Sequence, residues 1–129
     1  MESIPDPDRL RRRLRESLKA ALKGRDSVAA LAIRSAMSAI DNAEAVDLSH
    51  APPPKRGTAG DVRLGVGAAE AARRELSARE VVEAVRAEIT DRAAAVGEYE
   101  RLGRTDEASR LKAQANALAS ILEAALEEP

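Results

Sequence analysis

The chain has no cysteine, no phenylalanine and no tryptophan, and its single tyrosine is Tyr99. Without cysteine it has neither a disulfide framework nor a thiolate metal site. Large rings usually dominate core energetics, so a core without them must be built from Leu, Val, Ile and Ala. Ala-rich faces let helices approach closely but bury little area, which at ~25 cal/mol per Å² gives a modest total. The expectation is a thin, elongated helical protein of marginal stability, or one that gains burial from a partner. Long hydrophobic runs are missing too. No apolar stretch approaches the ~20 residues that span a bilayer, and the N-terminus has no signal-peptide apolar region. A cytoplasmic protein with no membrane partner is therefore expected. Histidine is reduced to His50. One His without Cys or clustered carboxylates cannot make a zinc site, so neither metal nor cofactor is expected.

What is present favours helices. Ala, Glu, Arg and Leu are strong helix formers, and 129 residues suggest one domain. The net charge of −1 conceals a gradient. Arg9, Arg11, Arg12, Arg13, Arg15, Lys19, Lys23 and Arg25 crowd the start, opposed there by Asp8 and Glu16. Glu123, Glu127 and Glu128 close the chain with no nearby base.

The periodicity predicts an all-α fold: a helical pair over residues 8–46, a linker over 47–67 and a hairpin over 77–126. The first helix starts at Asp6-Pro7-Asp8, a cap followed by proline in the first turn. Its stripe is Leu10, Leu14, Leu18, Ala21 and Leu22, and Gly24 ends it. Asp26 or Ser27 caps the second, whose inner face reads Val28, Leu31, Ala32, Ser35, Ala36 and Ile40. Pro52-Pro53-Pro54, with Gly57, Gly60, Gly65 and Gly67, predicts a flexible, partly polyproline linker. A short helix or turn follows over 68–75. Ser77-Ala-Arg-Glu80 has the form of a capping box opening the third helix, which bears Val82, Val85, Ile89, Val96 and Tyr99. At 1.5 Å per residue that helix, over 78–102, is ~38 Å long. Gly103 can take the left-handed conformation that closes it, and Thr105 or Asp106 can cap the fourth helix. Ala108, Leu111, Ala115, Leu118, Leu122 and Ala125 make a seam there at spacings of three and four.

Little here has the pattern of catalysis. Ser35, Ser38 and Ser120 have no evident base and orienting group. Gly60 to Gly67 lacks the strand and Lys-Ser/Thr of a phosphate loop. Glu80/Glu83 and Asp91/Glu98 read as solvated helix faces or i,i+4 partners. No catalytic, cofactor-binding or metal-binding residue is assigned. The arginines are the candidate site. Arg11, Arg12 and Arg15 share a face opposite the leucines and can pair with several phosphates. Stacking rings are absent, so any RNA contact is to backbone and shape. The alternative is a polar face balanced by the acidic fourth helix. Arg101 and Arg104 form a smaller positive tip at the corner, where Arg104 can instead bond the last carbonyls of the third helix.

Two blocks carry a family resemblance. Leu18 to Ile40, especially Ala30-Leu-Ala-Ile-Arg34-Ser-Ala-Met-Ser-Ala-Ile40, is similar to the second-helix segment of the GatB/YqeY family with its internal arginine. Glu75-Leu-Ser-Ala-Arg-Glu80 through Asp106 resembles the family's capped third helix and its Tyr99, Gly103-Arg104, Asp106 corner. The chain thus resembles the N-terminal helical part of YqeY-like proteins, which are related to the tail of the B subunit of the tRNA-dependent amidotransferase. Where members have an aromatic-Leu-Pro after the fourth helix, this chain reads Ala125-Leu-Glu127. The resemblance implies an all-α fold and a non-catalytic accessory module with tRNA backbone as a candidate partner; together with the N-terminal arginine face it makes Arg11, Arg12, Arg15 and Arg104 the candidate contacts. A carbon–nitrogen ligase label with glutamine as amido donor would describe the enzyme's company rather than this chain. The rival expectation is a helical module for a protein partner or a homo-oligomer, with Ala115 and Ala119 flanking Leu118 and Leu122 as its seam.

Overall fold

Each helix boundary is set by a few residues of local chemistry. The computed structural model describes the backbone of residues 6–50 and 59–127, with side chains over 6–45 and 77–127. Four helices and no strand lie among the described residues: α1 Pro7–Lys23, α2 Ser27–His50, α3 Ala59–Arg101 and α4 Thr105–Glu127. The all-α reading holds.

Asp6 caps α1, its carboxylate accepting from the Asp8 amide at 3.0 Å, and Pro7 occupies the first turn where its missing N–H costs nothing. The α1–α2 corner closes with a pair of bonds. The Asp26 amide donates to the Ala21 carbonyl at 2.8 Å and the Arg25 amide to the Leu22 carbonyl at 3.3 Å. This pairing needs a left-handed residue. Arg25 supplies it at φ 57, while Gly24 one position earlier has φ −84. Asp26, not Ser27, then caps α2, accepting from the Ala29 amide at 3.1 Å. The α3–α4 corner repeats the device with the favoured residue. The Arg104 amide donates to Tyr99 at 2.9 Å and the Gly103 amide to Glu100 at 3.1 Å, with Gly103 at φ 74.

The middle of the chain departs from expectation. α2 runs on to His50 and α3 already begins at Ala59, so the described parts of the expected 47–67 linker are helical. Pro52-Pro53-Pro54 falls in 51–58, outside the described residues. Glycine inside a helix costs about 1 kcal/mol relative to Ala but does not break it as proline does, and no proline lies between 55 and 128. For the same reason Ser77 does not open a helix. It sits within α3, between Ala-, Arg- and Glu-rich segments that are helical on both sides. At 1.5 Å per residue, 43 residues make α3 about 64 Å long rather than ~38 Å.

The most extensive packing is between α3 and α4, with α1 and α2 laid against one part of that hairpin. Leu10, Leu14, Ile33, Ile40, Val81, Val85 and Leu118 are fully buried, and Ala21, Ala30, Ala32, Ala36 and Ala125 fill the spaces between them. The expected stripes are rotated in places. Leu22 is 51% and Leu31 59% exposed, while Ala30 and Ile33 are buried instead. At 100° per residue Leu31 is about 160° around α2 from Ile33, so only one of the two can face inward. Every α3 and α4 residue of the core cluster lies at or before Ile89, or at or after Leu118. The far end of the hairpin reaches beyond the four-helix core.

Candidate nucleic-acid interface

Because Leu10, Leu14 and Ala21 turn one side of α1 inward, its sequence turns a line of cations outward. Arg12, Arg15, Lys19 and Lys23 are all exposed, and none makes an ion pair or side-chain hydrogen bond among the described residues. Arg15, Lys19 and Lys23 follow one another at i, i+4 and i+8, where like charges repel by a few tenths of a kcal/mol per pair. Glu16 is the one acid between Arg12 and Lys23. A shallow cleft lined by Glu16, Lys19, Ala20, Leu22 and Lys23 lies on the same helix. From Arg12 to Lys23 the line spans about 16 Å, long enough to meet several phosphates of a nucleic-acid backbone. Lys19 and Lys23 carry the line beyond Arg15. The four-residue step from Arg15 to Lys19 to Lys23 was the signal that extends the line.

Arg11 stands apart from this line. It is largely buried, and its guanidinium pairs with Asp8 at 3.4 Å and with Glu44 of α2. It therefore ties α1 to α2 rather than sharing the outer face with Arg12 and Arg15. Arg104 is not brought to the α1 line by the corner. Arg104 precedes α4, whose N-terminus is about 20 Å along that helix from Leu118, where the shared core begins. The bond to the end of α3 comes from its backbone amide, and its carbonyl accepts the Ala108 amide at 3.1 Å. Arg104 thus takes the cap position expected of Thr105 or Asp106. Its surroundings are mixed: Glu98, Glu100, Asp106 and Glu107 lie within six residues of it, with Arg101 and Arg110. Arg101 pairs with Glu98 at 3.3 Å, both largely exposed.

A second constellation, invisible in the sequence, joins three helices inside the protein. Ser35 Oγ of α2 donates to Glu88 Oε1 at 2.8 Å, and Arg92 Nη1 donates to Glu88 Oε2 at 3.0 Å. Arg92 Nε donates to Gln114 Oε1 of α4 at 2.8 Å, and Nη1 also reaches the Glu88 carbonyl at 3.2 Å. The Arg92 and Glu88 side chains are 12% and 18% exposed and Gln114 is buried, so these bonds act in a partly dry setting. Each group meets its partner, which is what burial of charge requires. The Glu88–Arg92 spacing of four was legible, but the Ser35 and Gln114 ends were not. Gln114 breaks the apolar rhythm of α4, and that break was the available hint.

Among the described residues no group of three or more Asp, Glu or His side chains converges as a metal site, and no helix is long and apolar enough to cross a membrane. The side chain of His50, the last residue of α2, lies outside the described ones. The α4 seam that the rival reading offered to a partner is used internally: Leu118, Leu122 and Ala125 are buried against the other three helices and Ala119 is half-buried. Compared with family models, with curated proteins and with solved structures, the chain matches none.

Proposed function

We propose that this chain is a non-catalytic accessory module that holds the sugar–phosphate backbone of tRNA along the outer face of α1. The observation that carries this reading is the unpaired line Arg12, Arg15, Lys19 and Lys23. Four cations face one acid, Glu16, on this side of the helix, and Arg15, Lys19 and Lys23 repeat a repulsive spacing without an internal partner. Phosphates would relieve that repulsion and release counterions. The GatB/YqeY resemblance of Leu18 to Ile40 and of the Tyr99 to Asp106 corner supports tRNA as the nucleic acid concerned. With no ring on α1, the contact is to backbone and helical shape rather than to unstacked bases. Arg11 serves by fixing α1 on α2, and Arg104 contributes least because acids surround it.

The test is retention of tRNA by the purified chain across a salt series. Four phosphate contacts give a log–log slope of about −3. Arg12→Glu with Arg15→Glu should remove retention at low salt, and Lys19→Glu with Lys23→Glu should do likewise, with helicity unchanged in both. Undiminished retention by both pairs sinks the assignment.

A further inference from the structure

A different surface, at the other end of the hairpin, remains unexplained by the α1 face. Leu102 is 70% exposed, the most exposed large hydrophobic among the described residues. It stands at the edge of a shallow cleft and forms part of its lining with Ala94, Ala95, Glu98, Tyr99 and Arg104. Ala94, Glu98 and Leu102 follow at four-residue steps along α3, with Ala95 and Tyr99 next to them, so these side chains share one face of the helix. Two alanines beside the chain's one aromatic ring leave a depression, and Leu102 stands next to it as a projection.

We infer that this corner docks a second copy of the same chain, Leu102 of each copy entering the Ala94–Ala95–Tyr99 depression of the other. A patch holding both projection and hole satisfies the condition for a two-fold contact, in which residue i meets j and j meets i. The charges point to the same occupant. Glu98 and Arg104 edge the cleft with opposite signs, so a two-fold arrangement brings Glu98 of one copy to Arg104 of the other. The Glu98–Arg101 pair within the chain is largely exposed and weak, and gives way readily. A polyanion finds no net positive charge at this corner, since Glu98, Glu100, Asp106 and Glu107 outnumber Arg101, Arg104 and Arg110. The contact is small, which makes it a concentration-dependent association rather than an obligate dimer.

Sedimentation of the full chain over a wide concentration range tests this. The weight-average mass should climb from 13.7 kDa toward twice that value. Leu102→Glu, at a solvated position, should hold the mass at one chain with circular dichroism unchanged. Glu98→Arg and Arg104→Glu should each weaken association by about tenfold, and the double exchange should recover most of the loss, because complementary charges are restored. A mass that never rises, a rise that Leu102→Glu leaves intact, or a double exchange no better than either single overturns the inference.

Discussion

At the scale of single residues, the two corners of this protein are a natural comparison. Both close with the same pair of backbone bonds, and both need a residue with positive φ. At one corner the residue is Gly103; at the other it is Arg25, with a glycine one position too early. A left-handed L-residue costs about 1–2 kcal/mol, whereas glycine adopts that conformation freely. Arg25→Gly should therefore stabilise the protein by about 0.5–1 kcal/mol, part of the gain being offset by the freer unfolded chain. Gly103→Ala should destabilise it by about 1–2 kcal/mol. A Cβ at Gly103 would meet nothing within 4 Å, so that cost is conformational alone. Urea denaturation checks both. Equal and small effects at the two corners would show that the backbone strain is not where the φ angles place it.

At the scale of elements, helix starts and stops were legible wherever a specific hydrogen bond depends on a specific residue. Asp6, Pro7, Gly24, Asp26 and Gly103 each mark a boundary that the structure contains. The segments 47–50 and 59–77, read as linker or helix start, are helical where the structure describes them, because Gly60, Gly65, Gly67 and Ser77 permit a turn without requiring one. Local chemistry constrains a helix end only when it removes an alternative, as proline does. Burial was less legible than helicity. Leu22 and Leu31 have apolar character but lie on the outer side, and that choice belongs to the packing of α1 and α2 on each other and on α3 and α4. The Ser35–Glu88–Arg92–Gln114 cluster was hidden for the same reason, since three helices must first be assembled to bring it together. Its energetics follow from burial. Arg92→Leu strips Glu88 of its counter-charge and should cost about 3 kcal/mol, and Gln114→Leu leaves the Arg92 Nε without its acceptor at about 1–3 kcal/mol. Replacing Glu88 and Arg92 together by Leu should recover part of the first loss, the rest being held back because Ser35 and buried Gln114 then lose their partners, and a double-mutant cycle would still read a coupling. Additive effects would mean that the pair does not act as a unit.

At the scale of the whole molecule, α1–α4 share one core of aliphatic side chains, and that core occupies only part of a hairpin whose α3 arm is about 64 Å long. The layout separates two surfaces of different character. Near the core lies an outer face of α1 with four exposed cations, and at the far corner lies a mixed-charge patch with Leu102 and Tyr99. Because no described contact joins them, substitutions at one should be independent of those at the other. Arg12→Glu with Arg15→Glu should remove tRNA retention while leaving the self-association constant as it was. Leu102→Glu should do the reverse, provided retention is measured below the concentration at which association begins. Above that concentration a wild-type pair would offer two α1 faces to one nucleic acid and gain by effective concentration, so the comparison must be made in the dilute regime. If dilute Leu102→Glu protein also loses tRNA, the corner is itself a nucleic-acid contact. Arg104 would then rejoin Arg12 and Arg15 in one extended surface, and the pairing of copies at the corner would have to be given up.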